Sequence, residues 1–285
     1  MRVSIAITEY PDPRDPAATS LERVAQAADE SVLDTLWVSD HAVQYAPGTR
    51  PTDPLLEAYT TLGWLAARTS RVRLGTAVTA VTFRPATLLI KAVTTLDVLS
   101  GGRMWFGVGA GYDEREAEEM GLPLPTRAER FEHLEDTLQL AHRMWAGDDS
   151  PFEGKHVRAT RPVNAPQATR RPPILIGGSG EKRTLPLVAR YADACNLPDI
   201  PDGGATLRRK LDVLARACDA VGRPFQEIEK TVATAIGSDE PADAFARRCA
   251  ALAGLGLDHA SVISRGPWTD DALTRVAEGA RMLAT

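Results

Sequence analysis

Short apolar runs and amphipathic stretches alternate along nearly the whole chain. Eight runs rich in Val, Ile, Leu and Ala, at 3–7, 36–39, 72–78, 104–109, 174–176, 194–197, 230–236 and 260–264, read as strands buried on both faces of a parallel sheet. Eight helix-like stretches separate or follow them. In the first, Leu21, Val24, Ala25, Ala28 and Val32 share a face, and Thr19 with Glu22 has capping-box spacing. The fourth carries the stripe Phe131, Leu134, Leu138, Ala141 and Trp145 behind a second such pair, Thr126 and Glu129. Asp53-Pro54 predicts a helix start before Leu55, Leu62 and Leu65, and Gly222 with Pro224 predicts the stop of the helix bearing Leu207, Leu211, Leu214, Cys218 and Val221. Leu273, Val276, Ala280 and Leu283 line up on the last helix.

Strand–helix alternation with right-handed crossovers closes without a free sheet edge, so the predicted fold is α/β, a (β/α)8 TIM barrel. No linker divides the chain, and residues 1–285 are expected to form one barrel domain. Its longest connection, about 147–173, contains Phe152-Glu153-Gly154-Lys155-His156 and predicts a small hairpin inserted before the fifth strand.

Composition narrows the function. A net charge of -5 leaves no broad basic surface for nucleic acid. No apolar run is long enough to cross a membrane, and the first residues read as a strand rather than a secretory leader, which predicts a cytoplasmic protein. The three cysteines are scattered through mostly apolar contexts, and the five histidines show no metal-ligand spacing, so no metal is expected.

In a barrel of this kind the ends of the strands are where chemistry is sought. The second strand ends Trp37-Val38-Ser39-Asp40-His41, placing an imidazole and a carboxylate at the rim; His41 is the first candidate for proton handling, the bland alternative being a histidine that satisfies a backbone carbonyl. The fourth ends Gly107-Val108-Gly109-Ala110-Gly111-Tyr112, where small residues let a flat ligand approach the backbone; the acidic residue of a nicotinamide fingerprint is missing. The fifth runs into Gly177-Gly178-Ser179-Gly180, then Glu181, Lys182 and Arg183, which reads either as a phosphate-binding helix start or as an ordinary tight turn. Pro186 predicts a kink or a later start for that helix. Glu9, Tyr45 and Arg84 lie in rim loops, either facing a substrate or merely solvated.

Val38-Ser39-Asp40-His41, Leu74-Gly75-Thr76-Ala77-Val78, Ser100-Gly101-Gly102-Arg103 leading to the glycine run, Glu129-Arg130-Phe131, and Pro173-Ile174-Leu175-Ile176-Gly177-Gly178 together resemble the bacterial luciferase-like oxidoreductases, in particular the branch using the deazaflavin coenzyme F420. The resemblance implies a cofactor across the C-terminal mouth, over Ala77, Val78 and Thr79, with a non-prolyl cis peptide between Ala77 and Val78. Ala110 and Gly111 would border the ring, Gly177, Gly178, Ser179 and Gly180 would hold the phosphate, and Asp40 and His41 would lie beside the reactive carbon. Glu9, Tyr45 and Tyr112 would meet the substrate. It further implies hydride transfer to or from a small organic molecule with His41 assisting proton transfer, and a homodimer, for which the apolar surface of helix 55–68 with Tyr59 and Trp64 is the candidate face. An FMN-dependent monooxygenase fed by a separate reductase, and a flavin-binding barrel without activity, are the competing readings. A related sugar-phosphate dehydrogenase has glutamate and tryptophan where this chain has Tyr112 and Tyr45, which argues against that substrate.

Overall fold

The computed structural model describes residues 1–11, 17–44 and 48–283. Its strands are β1 (Arg2–Ile7), β2 (Thr35–Val38), β3 (Arg73–Thr76), β4 (Thr79–Ala80), β5 (Phe106–Gly109), β6 (Phe152–Glu153), β7 (Arg158–Ala159), β8 (Ile174–Gly177), β9 (Ala194–Pro198), β10 (Glu229–Ala235) and β11 (His259–Ile263). Nine of them form a parallel sheet in the order β3-β2-β1-β11-β10-β9-β8-β5-β4. The predicted run 72–78 gives β3 alone: a cis bond between Ala77 and Val78 ends it, and β4 follows beyond that bond. The bridge from Leu74 to Met104 joins β3 to the approach of β5, so the ring closes as a TIM barrel. β6 and β7 pair antiparallel and form the expected hairpin outside it.

The helices among the described residues are α1 (Ala17–Asp29), α2 (Ala58–Arg68), α3 (Ala86–Ser100), α4 (Glu114–Met120), α5 (Arg127–Trp145), α6 (Thr184–Tyr191), α7 (Ala205–Ala220), α8 (Ala242–Gly254) and α9 (Asp270–Met282). None is long and apolar enough to cross a membrane. Local sequence accounts for several ends. Thr126 and Glu129 form the predicted capping box of α5, with Thr126 N–H donating to Glu129 Oε2 over 2.9 Å. α7 stops at Ala220, just ahead of Gly222, as the glycine and proline there predict.

Elsewhere other contacts override the expected cap. α1 starts before Thr19, so Thr19 and Glu22 are not its cap, and it ends at Asp29, leaving Val32 46% exposed rather than on the buried face. The Asp29 carboxylate accepts N–H groups from Ser70, Arg71 and Val72, which ties that helix end to the loop entering β3. α2 begins at Ala58 with Glu57 as its cap, not at Asp53, because Asp53 is held by the Arg50 guanidinium. Tyr59 does not face outward as the helix pattern suggested: its hydroxyl meets Thr79 Oγ1 at 2.9 Å and Arg84 covers its ring. Exposed apolar side chains are found on α3 among other places, where Leu88 and Leu99 are 59% and 72% exposed.

One core lies between strands and helices, and a second fills the lumen with Ala6, Trp37, Trp105, Leu175 and Ala194. Gly75 leaves the space these indoles need: an added Cβ would sit 2.6 Å from Trp37 Cζ3 and 2.8 Å from Trp105 Cβ. Val78 packs inward on the same layer, against Gly109 and Gly177. The lumen is thereby plugged beneath the mouth, and the ends of β2, β4, β5 and β8 become the floor and walls of a cleft.

Candidate active site

That cleft has a volume of about 440 Å³ and runs over the mouth between two chemically different ends. Ala77, Val78, Thr79 and Ala80 line one stretch, and Gly109, Ala110, Gly111 and Tyr112 another. Gly111 has φ +76°, and a Cβ there would stand 3.1 Å from Ala80 Cβ and 3.2 Å from Leu124, so glycine keeps this wall close to the floor.

At one end stands His41, whose side chain is 30% exposed. Its Nδ1 lies 2.6 Å from Oε2 of Glu116, a fully buried carboxylate, and Glu116 Oε1 accepts the Ala42 N–H. An ionised carboxylate only accepts, so Nδ1 carries the hydrogen and Nε2 faces the cleft. There Tyr112 meets it edge-on with its hydroxyl 3.4 Å away. The bond to Glu116 pushes the imidazole above its ordinary 6.5 against the opposing effect of burial, with Asp113 and Asp40 adding to the rise. Asp40 lines the cleft too, but Arg84 takes both its oxygens, at 2.7 and 2.8 Å, and also binds Glu57 at 2.7 Å. Arg84, one reading of which was a solvated rim residue, is therefore a clamp between β2 and α2.

At the other end Gly177, Gly178 and Thr184 meet Arg127, Arg130 and Phe131 of α5. Arg130 is only 7% exposed, yet its Nε and Nη1 have no hydrogen-bond partner. A buried cation with unpaired donors is costly, so its place in a cleft wall marks an anion site. The glycine turn contributes differently from the simple helix-start picture. α6 begins at Thr184, putting Pro186 in its first turn, where its missing N–H leaves no gap; Leu185 N–H is already given to Gly180 O. Ser179 and Gly180 form the turn but do not line the cleft, and the neighbouring charges are drawn away: Glu181 to Arg209 and Lys210, Arg183 to the Phe131 ring. The cations of this end come from α5.

One expected substrate contact, Glu9, is not gathered here. Glu9 accepts the Gly266 N–H and lines a separate depression with Thr8, Gly48, Thr49 and Arg265; Tyr45 lies outside the described residues. The sequence reading missed Glu116 because it missed α4, a seven-residue helix with no apolar stripe. Its legible signal was Asp113, the cap that accepts Glu116 N–H at 2.9 Å.

The model of the luciferase-like monooxygenase family matches residues 1–280. The chain belongs to that family. Among family relatives, an F420-dependent glucose-6-phosphate dehydrogenase of Nakamurella multipartita is 34% identical over 183 residues, covering 61% of this chain and 50% of that protein. Its counterpart from Amycolatopsis mediterranei is 32% identical over 194 residues, 66% of this chain and 53% of that protein. The match thus spans about half the length of these curated relatives. Among solved structures, an F420-dependent secondary alcohol dehydrogenase in complex with an F420-acetone adduct superposes with TM-score 0.83 at 16% identity, covering 99% of each chain. The coenzyme F420-dependent tetrahydromethanopterin reductase of Methanopyrus kandleri gives 0.78 at 17% identity, over 97% of this chain and 98% of that one. At such identities the superpositions establish the luciferase-like barrel fold.

Proposed function

We propose that this protein is an F420-dependent oxidoreductase acting on a small organic substrate. The observation that carries this reading is that one cleft holds a buried guanidinium with unused donors at one end and an imidazole with one open edge at the other. The names of its relatives and of the proteins that share its fold support the choice of deazaflavin.

The residues present fit such a group. Arg130 with Gly177, Gly178 and Thr184 would hold the phosphate, supported by the Ser179-Gly180 turn, while Ala77, Val78, Thr79, Ala110 and Gly111 would line the ring. When bound, a deazaflavin supplies hydride chemistry and not the oxygen chemistry of a flavin. The chain's part is to orient the reactants and move a proton: His41 gives or takes it at Nε2, and Asp40, neutralised by Arg84, holds the loop that carries the imidazole. Tyr112 stands at the same end, where a substrate would enter.

A carbonyl, imine or activated alkene, or the alcohol in the reverse sense, suits this end. Asp40, Asp113 and Glu116 gather there against the Arg84 cation, which disfavours a phosphorylated substrate. With Tyr112 in place of glutamate, a substrate other than the relatives' sugar phosphate is the better fit. The reading places the protein in the cytoplasm, where its buried free cysteines stay reduced. It also makes the protein a homodimer, with α3 offering Leu88 and Leu99 as its apolar face; a monomer at micromolar concentration in sedimentation would remove that part.

The deciding experiment compares F420 with FMN. F420 should raise the melting temperature and FMN should not, because selective binding stabilises the folded state. Reduced F420 should then be consumed in the presence of an acceptor without oxygen uptake. Stabilisation by FMN alone, with oxygen consumed when it is supplied reduced, would replace this reading with a monooxygenase.

A further inference from the structure

We propose that Glu116 is the positioning residue of the reaction: it holds His41 by Nδ1 and keeps the imidazole loaded with a proton, so that Nε2 serves as the acid of a reduction. The proposal rests on the oxidoreductase reading above, and it assigns a task to a residue that never touches substrate. Four observations carry it. Glu116 is fully buried, although α4 is otherwise a largely polar helix on the rim. Both its oxygens are directed at one loop, Oε2 at His41 Nδ1 over 2.6 Å and Oε1 at the Ala42 N–H. Asp113 caps α4 through the Glu116 N–H, fixing the turn from which the carboxylate is presented. Among the described residues the carboxylate has no Lys or Arg in contact, so its one available counter-charge is an imidazolium.

The electrostatic surroundings act in the same direction. From its own loop His41 meets Asp40, whose charge is shared with Arg84; from α4 it meets Asp113 and Glu116; from the glycine run it meets the Tyr112 hydroxyl. A buried carboxylate that pairs with a cation stabilises the charged imidazole, and once the ring is neutral it keeps the remaining hydrogen on Nδ1. With Nδ1–H committed to Glu116, proton gain and loss are confined to Nε2, the edge open to the cleft. In the reduction, the acceptor's double bond takes a hydride, two electrons and one hydrogen, from reduced deazaflavin, and one proton from Nε2. The balance would close with one further proton passing from the reduced cofactor to solvent and one returning from solvent to the neutral imidazole.

Nitrogen-15 NMR titration of the full-length protein without cofactor tests this directly. The wild-type imidazole should titrate above 6.5 and, once neutral, carry its hydrogen on Nδ1. In Glu116→Gln the titration should fall by about one pH unit or more and the tautomer preference should be lost, since an amide can present N–H to Nδ1. The pH profile of kcat/KM should move by the same amount, with the KM for cofactor unchanged, whereas a merely structural role would lower turnover equally at every pH. Wild-type His41 titrating at or below 6.5 with hydrogen on Nε2 would overturn the proposal without recourse to a variant. Failure of the oxidoreductase reading looks different: the NMR result would stand while F420 neither binds nor turns over.

Discussion

Two histidines at opposite ends of the barrel are built alike and finished differently. At the start of β11, His259 places Nδ1 2.7 Å from Glu229, as His41 does with Glu116, but its Nε2 is closed by the Ser4 hydroxyl and the ring is 1% exposed. Glu229 is bound in turn by Arg2 at 2.5 Å, and Arg2 reaches Asp34. Every partner is used, so the network can only hold strands together. At the mouth the same carboxylate–imidazole pair leaves one nitrogen facing a cleft, and across that cleft Arg130 keeps two unused donors. Chemistry is thus marked less by which residues are present than by hydrogen-bonding capacity left unmet in the wall of a cleft.

Removing each imidazole should separate the two roles most sharply. His41→Ala is expected to lower turnover per folded molecule by about 10²- to 10⁴-fold, beyond the stability it loses by leaving the buried Glu116 without its imidazole. His259→Ala should instead destabilise the fold by about 2–4 kcal/mol, leaving Glu229 partly unpaired, while activity per folded molecule persists. Steady-state kinetics beside denaturant melts will show it; loss of turnover in a stable His259→Ala protein would erase the distinction. Next in size, Arg130→Met should weaken cofactor binding by about 10- to 100-fold, read by titration calorimetry, since a charge-assisted hydrogen bond contributes about 1.5–3 kcal/mol. Apo stability should hold or rise, because an unpaired buried charge has been removed.

The pH dependence of stability should also split the pair. Burial alone would raise Glu229 and Asp34, but their bonds and nearby cations hold both below their ordinary 4.5 and 3.8. Their contribution is complete above those values and is lost as pH falls through the lower folded-state ones. The raised His41 behaves oppositely: its contribution is complete below 6.5 and is lost as pH rises through its higher folded-state value. Denaturant melts across pH 2–9 should show the acid loss in both wild type and Glu116→Gln, and the alkaline loss in wild type alone. Smallest of all, Tyr112→Phe should change turnover less than about fivefold, because an exposed hydroxyl 3.4 Å from Nε2 makes a weak bond. A hundredfold loss would instead make Tyr112 the proton donor.

Much of the barrel was legible because buried parallel strands must be nearly continuous in apolar residues, and all eight predicted runs became strands. The cis bond at Ala77–Val78 was reached by resemblance alone, for nothing in those two small residues announces it. Element starts were legible where the cap pair is used, as at Thr126, and misplaced where the candidate cap is bound otherwise, as Asp53 is by the nearby Arg50. His41 and the glycine turn were visible from their places at strand ends; Glu116 was not, since a short polar helix has no periodic signature.

The order of apolar and amphipathic segments by itself determined a closed parallel barrel, and with it the end at which reacting groups gather, because hydrophobic period and crossover handedness act through local geometry. Only the tertiary structure decided which charges stay unpaired. His41 and Glu116 are 75 residues apart, Asp40 and Arg84 are 44 apart, and whether a carboxylate meets an arginine, an imidazole or an open cleft depends on distances that exist only once the barrel has closed.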